Sequence, residues 1–161
     1  MPLRHRVERA VDWLAIVTFS GMFACVLVQV FFRYFLDSPL TWSDELARYL
    51  FVWCAFLGWV IAARRRSHLA ISAVQVRLPP RARAALGVVA ALAAVVFAGI
   101  LCHYGVRITL RNADVETPSL FFTMGVVYAI VPAAAIAVGL HALGDVIAAA
   151  RALRGLPEAP R

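Results

Sequence analysis

Four apolar runs, at 13–32, 46–63, 84–106 and 120–144, with Arg48 their one charged residue, leave this 161-residue chain few ways to fold. Each is close to the roughly 20 residues that a helix needs to cross about 30 Å of hydrocarbon. Between them the polar residues are too few to solvate a globule. Charged residues make up 16% of the chain against about 25% in a soluble domain, and 63% are hydrophobic. Lipid is the solvent such a chain needs. Lipid offers the backbone no hydrogen-bond partners, so each crossing segment must be a helix unless a barrel closes. A barrel would need short segments of alternating polarity, and none occur. The expected fold is all-α, with transmembrane helices at about 13–34, 42–63, 82–106 and 119–147 in one integral-membrane domain, 1–161. A flexible tail is expected at 152–161.

The basic residues set an orientation. All sixteen are arginine. Arg4, Arg6 and Arg9 precede the first run, six more lie between Arg64 and Arg83, and Arg151, Arg154 and Arg161 follow the last. The opposite side holds only Arg33, Arg48, Arg107 and Arg111, mixed with Asp37, Asp44, Glu45, Asp114 and Glu116. The positive-inside rule then predicts both termini in the cytoplasm and an uncleaved first span, longer than a signal-peptide core. A pI near 10.4 reflects this topology, not nucleic-acid binding. Within the linker 64–81, residues 67–78 are too short to cross. Ile71, Val74 and Leu78 share one helical face against His68, Ser72 and Gln75, which predicts an interfacial amphipathic helix.

Local signals mark the helix ends. Thr41-Trp42-Ser43-Asp44 has capping-box spacing. Pro79-Pro80 suits the opening of the third span, and Thr117-Pro118-Ser119 is expected to open the fourth. Pro132 should kink that fourth helix, while Gly125 and Gly139 would let it pack closely on others.

Chemistry is sparse. No carboxylate stands mid-span, where a self-sufficient transporter would hold its coupling ion or substrate. Gln29 is expected to hydrogen-bond between helices. Cys25, Cys54 and Cys102 read as buried small hydrophobes. His103 and His141 could together hold haem only at one depth, and by residue count they fall on opposite sides of the bilayer. No nucleophile motif, phosphate loop or metal signature is present, so neither a cofactor nor catalysis is expected.

The dense region is the turn between the first two spans: Phe31-Phe32-Arg33-Tyr34, then Asp37 through Tyr49. Asp44 and Arg48 stand four apart in the favourable acid-first order, as do Glu45 and Tyr49. Trp42, Glu45, Tyr49 and Trp53 recur at three and four. Spacing alone leaves two readings, an aromatic belt with capping charges or a docking surface.

The motifs Phe32-Arg33-Tyr34, Pro39-Leu40-Thr41-Trp42-Ser43-Asp44-Glu45, Leu50-Phe51-Val52-Trp53, Phe56-Leu57-Gly58, Arg64-Arg65-Arg66 and His68-Leu69 carry a family likeness. The chain resembles the DctQ-like small permease subunit of tripartite ATP-independent periplasmic (TRAP) transporters. Ser72 stands where that pattern often has an acid. The resemblance implies a subunit of the bacterial inner membrane in a sodium-driven importer of organic acids. The large permease subunit would hold sodium and substrate, and a periplasmic binding protein would deliver the cargo. This chain would be a non-catalytic scaffold. Its partner contacts would come from Arg33, Trp42, Asp44, Glu45, Arg48, Tyr49, Trp53 and Gly58, its helix packing from Gly125, Pro132 and Gly139. The rival readings are a self-sufficient oligomeric transporter and a haem-binding electron-transfer subunit.

Overall fold

The computed structural model describes residues 2–64 and 79–153. Five helices run through them: α1 Pro2–Phe35, α2 Thr41–Arg64, α3 Pro80–Arg111, α4 Met124–Tyr128 and α5 Ile130–Leu153. The only β pairing among the described residues is an isolated bridge, Glu116 to Thr123. α1, α2, α3 and the α4–α5 pair are each long and apolar enough to cross a membrane, as the four runs predict. The segment expected to lie flat at 67–78 falls outside the described residues, as does the expected flexible tail 152–161 apart from 152–153, which continue α5 as helix.

The third span opens as its prolines require. Pro79 is extended (φ −61°, ψ 155°) and Pro80 occupies the first turn, where a missing N–H costs no helical bond. The fourth span is broken as Pro132 requires. Proline cannot donate to the Tyr128 carbonyl, and Ala129 separates α4 from α5. The next bond, from the Ala133 N–H to the Ala129 carbonyl, is stretched to 3.4 Å.

Two expected helix starts do not form as read. Thr117-Pro118-Ser119 is not a helix start, because 112–123 is a folded loop. Thr117 is buried, and its hydroxyl lies 2.8 Å from the carbonyls of both Leu120 and Phe122. The helix waits until Met124, whose N–H is held by the Val115 carbonyl at 2.8 Å. The Thr41–Asp44 capping box is also absent. Asp44 is engaged elsewhere, and Ser43, fully buried, turns its hydroxyl onto the Leu40 carbonyl at 2.8 Å.

α3 and α5 form the most extensive packed pair, α2 lies against α5, and α1 packs chiefly along α2. The α3–α5 seam is built from small residues: Ala91, Ala98, Ala134, Ala135 and Ala142 are buried. Small side chains let helix backbones approach where lipid supplies no hydrophobic drive. A Cβ on Gly139 would sit 3.5 Å from that of Ala98, and one on Gly105 would meet Val131 at 3.0 Å and Pro132 at 3.1 Å. Large apolar side chains point outward instead, including Trp13, Phe19, Phe23, Val96 and Leu140. Cys25, Cys54 and Cys102 are free and half-buried, less enclosed than their reading as buried small hydrophobes expects.

The turns 36–40 and 112–123 lie at one end of the bundle, here the loop end. The start of α1, Arg64, Pro80 and the end of α5 lie at the other, the terminal end. There Arg64 Nη2 donates to Asp12 Oδ1, and its Nη1 donates to the Glu8 carbonyl at 3.1 Å. The Arg64 side chain is 15% exposed and that of Asp12 37%. An arginine that reads in sequence only as the edge of a basic stretch thus clips α1 to α2. Asp12→Asn or Arg64→Gln is expected to lower stability by about 1–2 kcal/mol. In the double variant the two losses should overlap, a coupling that thermal unfolding in one detergent can measure. Strictly additive losses would show that the pair contributes nothing as a pair.

Candidate partner interface at the loop end

α1 ends in a turn that needs one unusual residue. Asp37 adopts φ 46°, a left-handed conformation that Asp tolerates better than most side chains. The Ser38 N–H then reaches back to the Phe32 carbonyl at 3.2 Å, which satisfies part of the helix end. The reversal sets the last turns of α1 beside the first turns of α2.

A polar cluster forms across that junction. Gln29 Nε2 donates to Asp44 Oδ1 at 3.2 Å, the interhelical bond its position suggests. Arg48 Nη2 donates to Asp44 Oδ2 at 3.0 Å. One turn around α2, the Tyr49 hydroxyl donates to Glu45 Oε1 in a short hydrogen bond. Met124 Sδ lies 3.4 Å from the same hydroxyl, and the Tyr49 ring meets Phe122 edge-on at 6.1 Å. Three parts of the chain converge here: the end of α1, the start of α2 and the loop leading into α4.

The Asp44–Arg48 side of the cluster is presented to its surroundings, while Glu45 and Tyr49 are half-buried behind it. The Arg48 and Asp44 side chains are 70% and 57% exposed. An ion pair so open contributes only about 0–1 kcal/mol to stability. Tyr34 and Phe35 are 72% and 77% exposed beside it, and Phe121 projects wholly free from the second loop. This end therefore offers charge, aromatic surface and a shape fixed by the cluster behind it.

The residues singled out from sequence divide sharply. Asp44, Glu45, Arg48 and Tyr49 come together. Arg33 and Trp42 lie exposed at the same end, with no hydrogen bond or ion pair to the described residues. Trp53 is half-buried further along α2, outside the cluster. Gly58 is exposed, with nothing within 4 Å of its missing Cβ, so no close contact within the chain requires a glycine there. Gly125 is a point of closest approach: a Cβ would lie 2.8 Å from the Ala113 Cα. Phe122, Met124 and Gly105 are contact residues that spacing along the chain did not single out.

The two intramembrane histidines do not face each other. His103 stacks edge-on with Tyr104, while His141 lines a small cavity of about 160 Å³ with Trp59 and Asp145. The Ala98–Gly139 and Gly105–Pro132 contacts set their levels about seven residues apart, which is about 10 Å along the bundle. That is less than the full bilayer expected, because α3 runs on eight residues past His103 to Arg111 and the fourth span's helix starts at Met124 and not at 119. It is still too far for two ligands of one haem. No group of three or more His, Cys, Asp or Glu suited to a metal occurs among the described residues.

Residues 22–152 match the family of tripartite ATP-independent periplasmic transporters, DctQ component. The sialic acid TRAP transporter small permease protein SiaQ of Vibrio cholerae is 30% identical over 118 residues, 73% of this chain and 68% of SiaQ. The C4-dicarboxylate TRAP transporter small permease protein DctQ of Pseudomonas aeruginosa is 41% identical over 68 residues, 42% of this chain and 32% of that one. The sialic acid TRAP transporter permease protein SiaT of Haemophilus influenzae is 29% identical over 114 residues, 71% of this chain but 18% of SiaT. Two of these three relatives thus extend well beyond the matched part. With most of its length matched and its four membrane helices in place, the chain is a multi-pass membrane protein that belongs to the DctQ family of TRAP transporter small permease components.

Proposed function

We propose that this chain is the fixed, non-catalytic mount of a sodium-coupled TRAP importer for an organic acid. It would anchor the large permease subunit in the bacterial inner membrane and help seat the periplasmic binding protein at its loop end. Sodium and substrate would be handled by the large subunit, and this chain would carry no cofactor. Both termini would face the cytoplasm, where twelve of sixteen arginines then lie. The whole chain would form a single membrane domain.

One observation supports this most directly. Across 13–32, 49–63, 84–106 and 117–144 no Asp, Glu, Lys or Arg occurs, so mid-membrane depth lacks the charged groups of a coupling site. The polar contacts gather at the two ends instead. Relatives named for sialic acid and for C4-dicarboxylates point to carboxylated cargo. A small-permease match within 18% of the much longer SiaT points to a companion permease on the same footing.

Reconstitution tests the assignment. The lone chain in liposomes, given an inward sodium gradient and a binding protein loaded with a carboxylated substrate, is expected to accumulate nothing. Adding the cognate large subunit should restore sodium-dependent uptake. Accumulation by the lone chain would make it a transporter in its own right and end the reading.

A further inference from the structure

We propose that the groove between α2, α3 and the α4–α5 pair binds one phospholipid from the leaflet at the loop end, with the lipid's phosphodiester held by Arg107 and Arg111. The groove encloses about 540 Å³. Val52 and Phe56 of α2, Leu101 of α3 and Val131 of α5 give it apolar walls. Arg107 and Arg111 close its upper rim, with the Tyr128 ring beside them.

Three features point to that occupant. The first is charge. Arg107 and Arg111 stand one turn apart on α3, both exposed, and neither guanidinium has a hydrogen bond or ion pair among the described residues. Like charges at this spacing repel, and a shared anion reverses the sign. The second is length. From Leu101 to Arg111 the helix rises about 15 Å, half of a hydrocarbon core of about 30 Å. An acyl chain reaching down from a headgroup at the rim would span that depth. The third is access: the groove is open at the bundle surface, where the flanking Tyr104 and Ile108 are exposed. A soluble anion would satisfy the arginines and leave the apolar walls empty. A lipid satisfies both.

The test uses the full chain, purified and delipidated in detergent, titrated with palmitoyl-oleoyl-phosphatidylglycerol and followed by native mass spectrometry. One lipid is expected to be retained per chain. R107Q/R111Q should weaken retention by about tenfold or more, since each basic residue near a membrane surface contributes about a factor of five toward an anionic lipid. L101W, which fills the groove and spares both arginines, should weaken it as well, with helicity by circular dichroism checking that each variant is folded. Retention unchanged in either folded variant would overturn the proposal. So would equal competition by inorganic phosphate, which would mark a site for free anions. A third contrary outcome is loss of the large subunit from R107Q/R111Q with lipid retention intact, which would assign the arginines to a protein contact.

Discussion

Gly125→Ala is expected to destabilise the purified chain by about 2 kcal/mol, although glycine to alanine in a helix ordinarily gains up to about 1 kcal/mol. The reason is where the new methyl group would sit. It would lie 2.8 Å from the Ala113 Cα, 3.2 Å from the Asn112 carbonyl oxygen and 3.3 Å from the Ala113 nitrogen. All three are backbone atoms, so no side chain can swing aside. The loop 112–123 must retreat, and two 2.8 Å hydrogen bonds tie it to this point, Gly125 N–H to Asn112 and Met124 N–H to Val115. Overpacking costs about 1–3 kcal/mol and each strained hydrogen bond up to about 1, which together exceed the propensity gain. Other glycines supply the controls. Gly139→Ala adds a methyl group at an ordinary 3.5 Å from Ala98, and Gly58→Ala meets open space. Thermal unfolding in a common detergent should rank Gly58→Ala and Gly139→Ala near or above the parent and Gly125→Ala well below. Parental stability in Gly125→Ala would show that the loop does not close on this residue. The larger Gly139→Leu no longer fits against Ala98 and should weaken co-purification with the large subunit.

How far the residues announced this structure depends on the distance over which each contact acts. The four spans were legible because hydrophobic length is a local property. So were Asp44–Arg48 and Glu45–Tyr49, where helical period alone brings partners one turn apart, and the break at Pro132, which follows from a missing N–H. Contacts between distant segments were not legible. Tyr49 meets Phe122 and Met124 more than seventy residues away, and only the α2–α5 packing creates that meeting. Arg64 reads as a topology signal until α1 turns Asp12 toward it. Gly105 looks like one more small residue in an apolar run, yet it is where α3 crosses Pro132. Two start signals failed because their side chains found stronger partners: Asp44 is taken by Gln29 and Arg48, and Thr117 by the carbonyls of its own loop. Short motifs propose hydrogen bonds, and the fold decides which of them form.

Loss of uptake without loss of folding is the expected result for D44A/E45A. These side chains are worth little to the fold of the chain and more to the partner interface proposed for them. Within the chain, the Asp44–Arg48 pair is so exposed that its removal costs about 0–1 kcal/mol. Losing Glu45 removes one hydrogen bond from Tyr49, about 1 kcal/mol, and leaves the hydroxyl near Met124 Sδ. The four helices and the α3–α5 seam are untouched, so the variant should reach the membrane with unchanged helicity. At a partner interface the same groups weigh more, because truncating one side of a desolvated charge pair costs about 2–5 kcal/mol. Uptake by the assembled transporter should therefore fall on the order of tenfold or more. R48A alone should give a smaller loss, since Gln29 still holds Asp44 in place. R33A and W42A, exposed at the same end but outside the cluster, separate charge and aromatic contact from the geometry the cluster imposes. If co-purification with the large subunit falls in step with uptake, the loop end contacts the permease. If assembly persists and uptake recovers at high binding-protein concentration, it receives the binding protein. Unchanged uptake and unchanged assembly in D44A/E45A would remove the loop-end cluster from any partner contact.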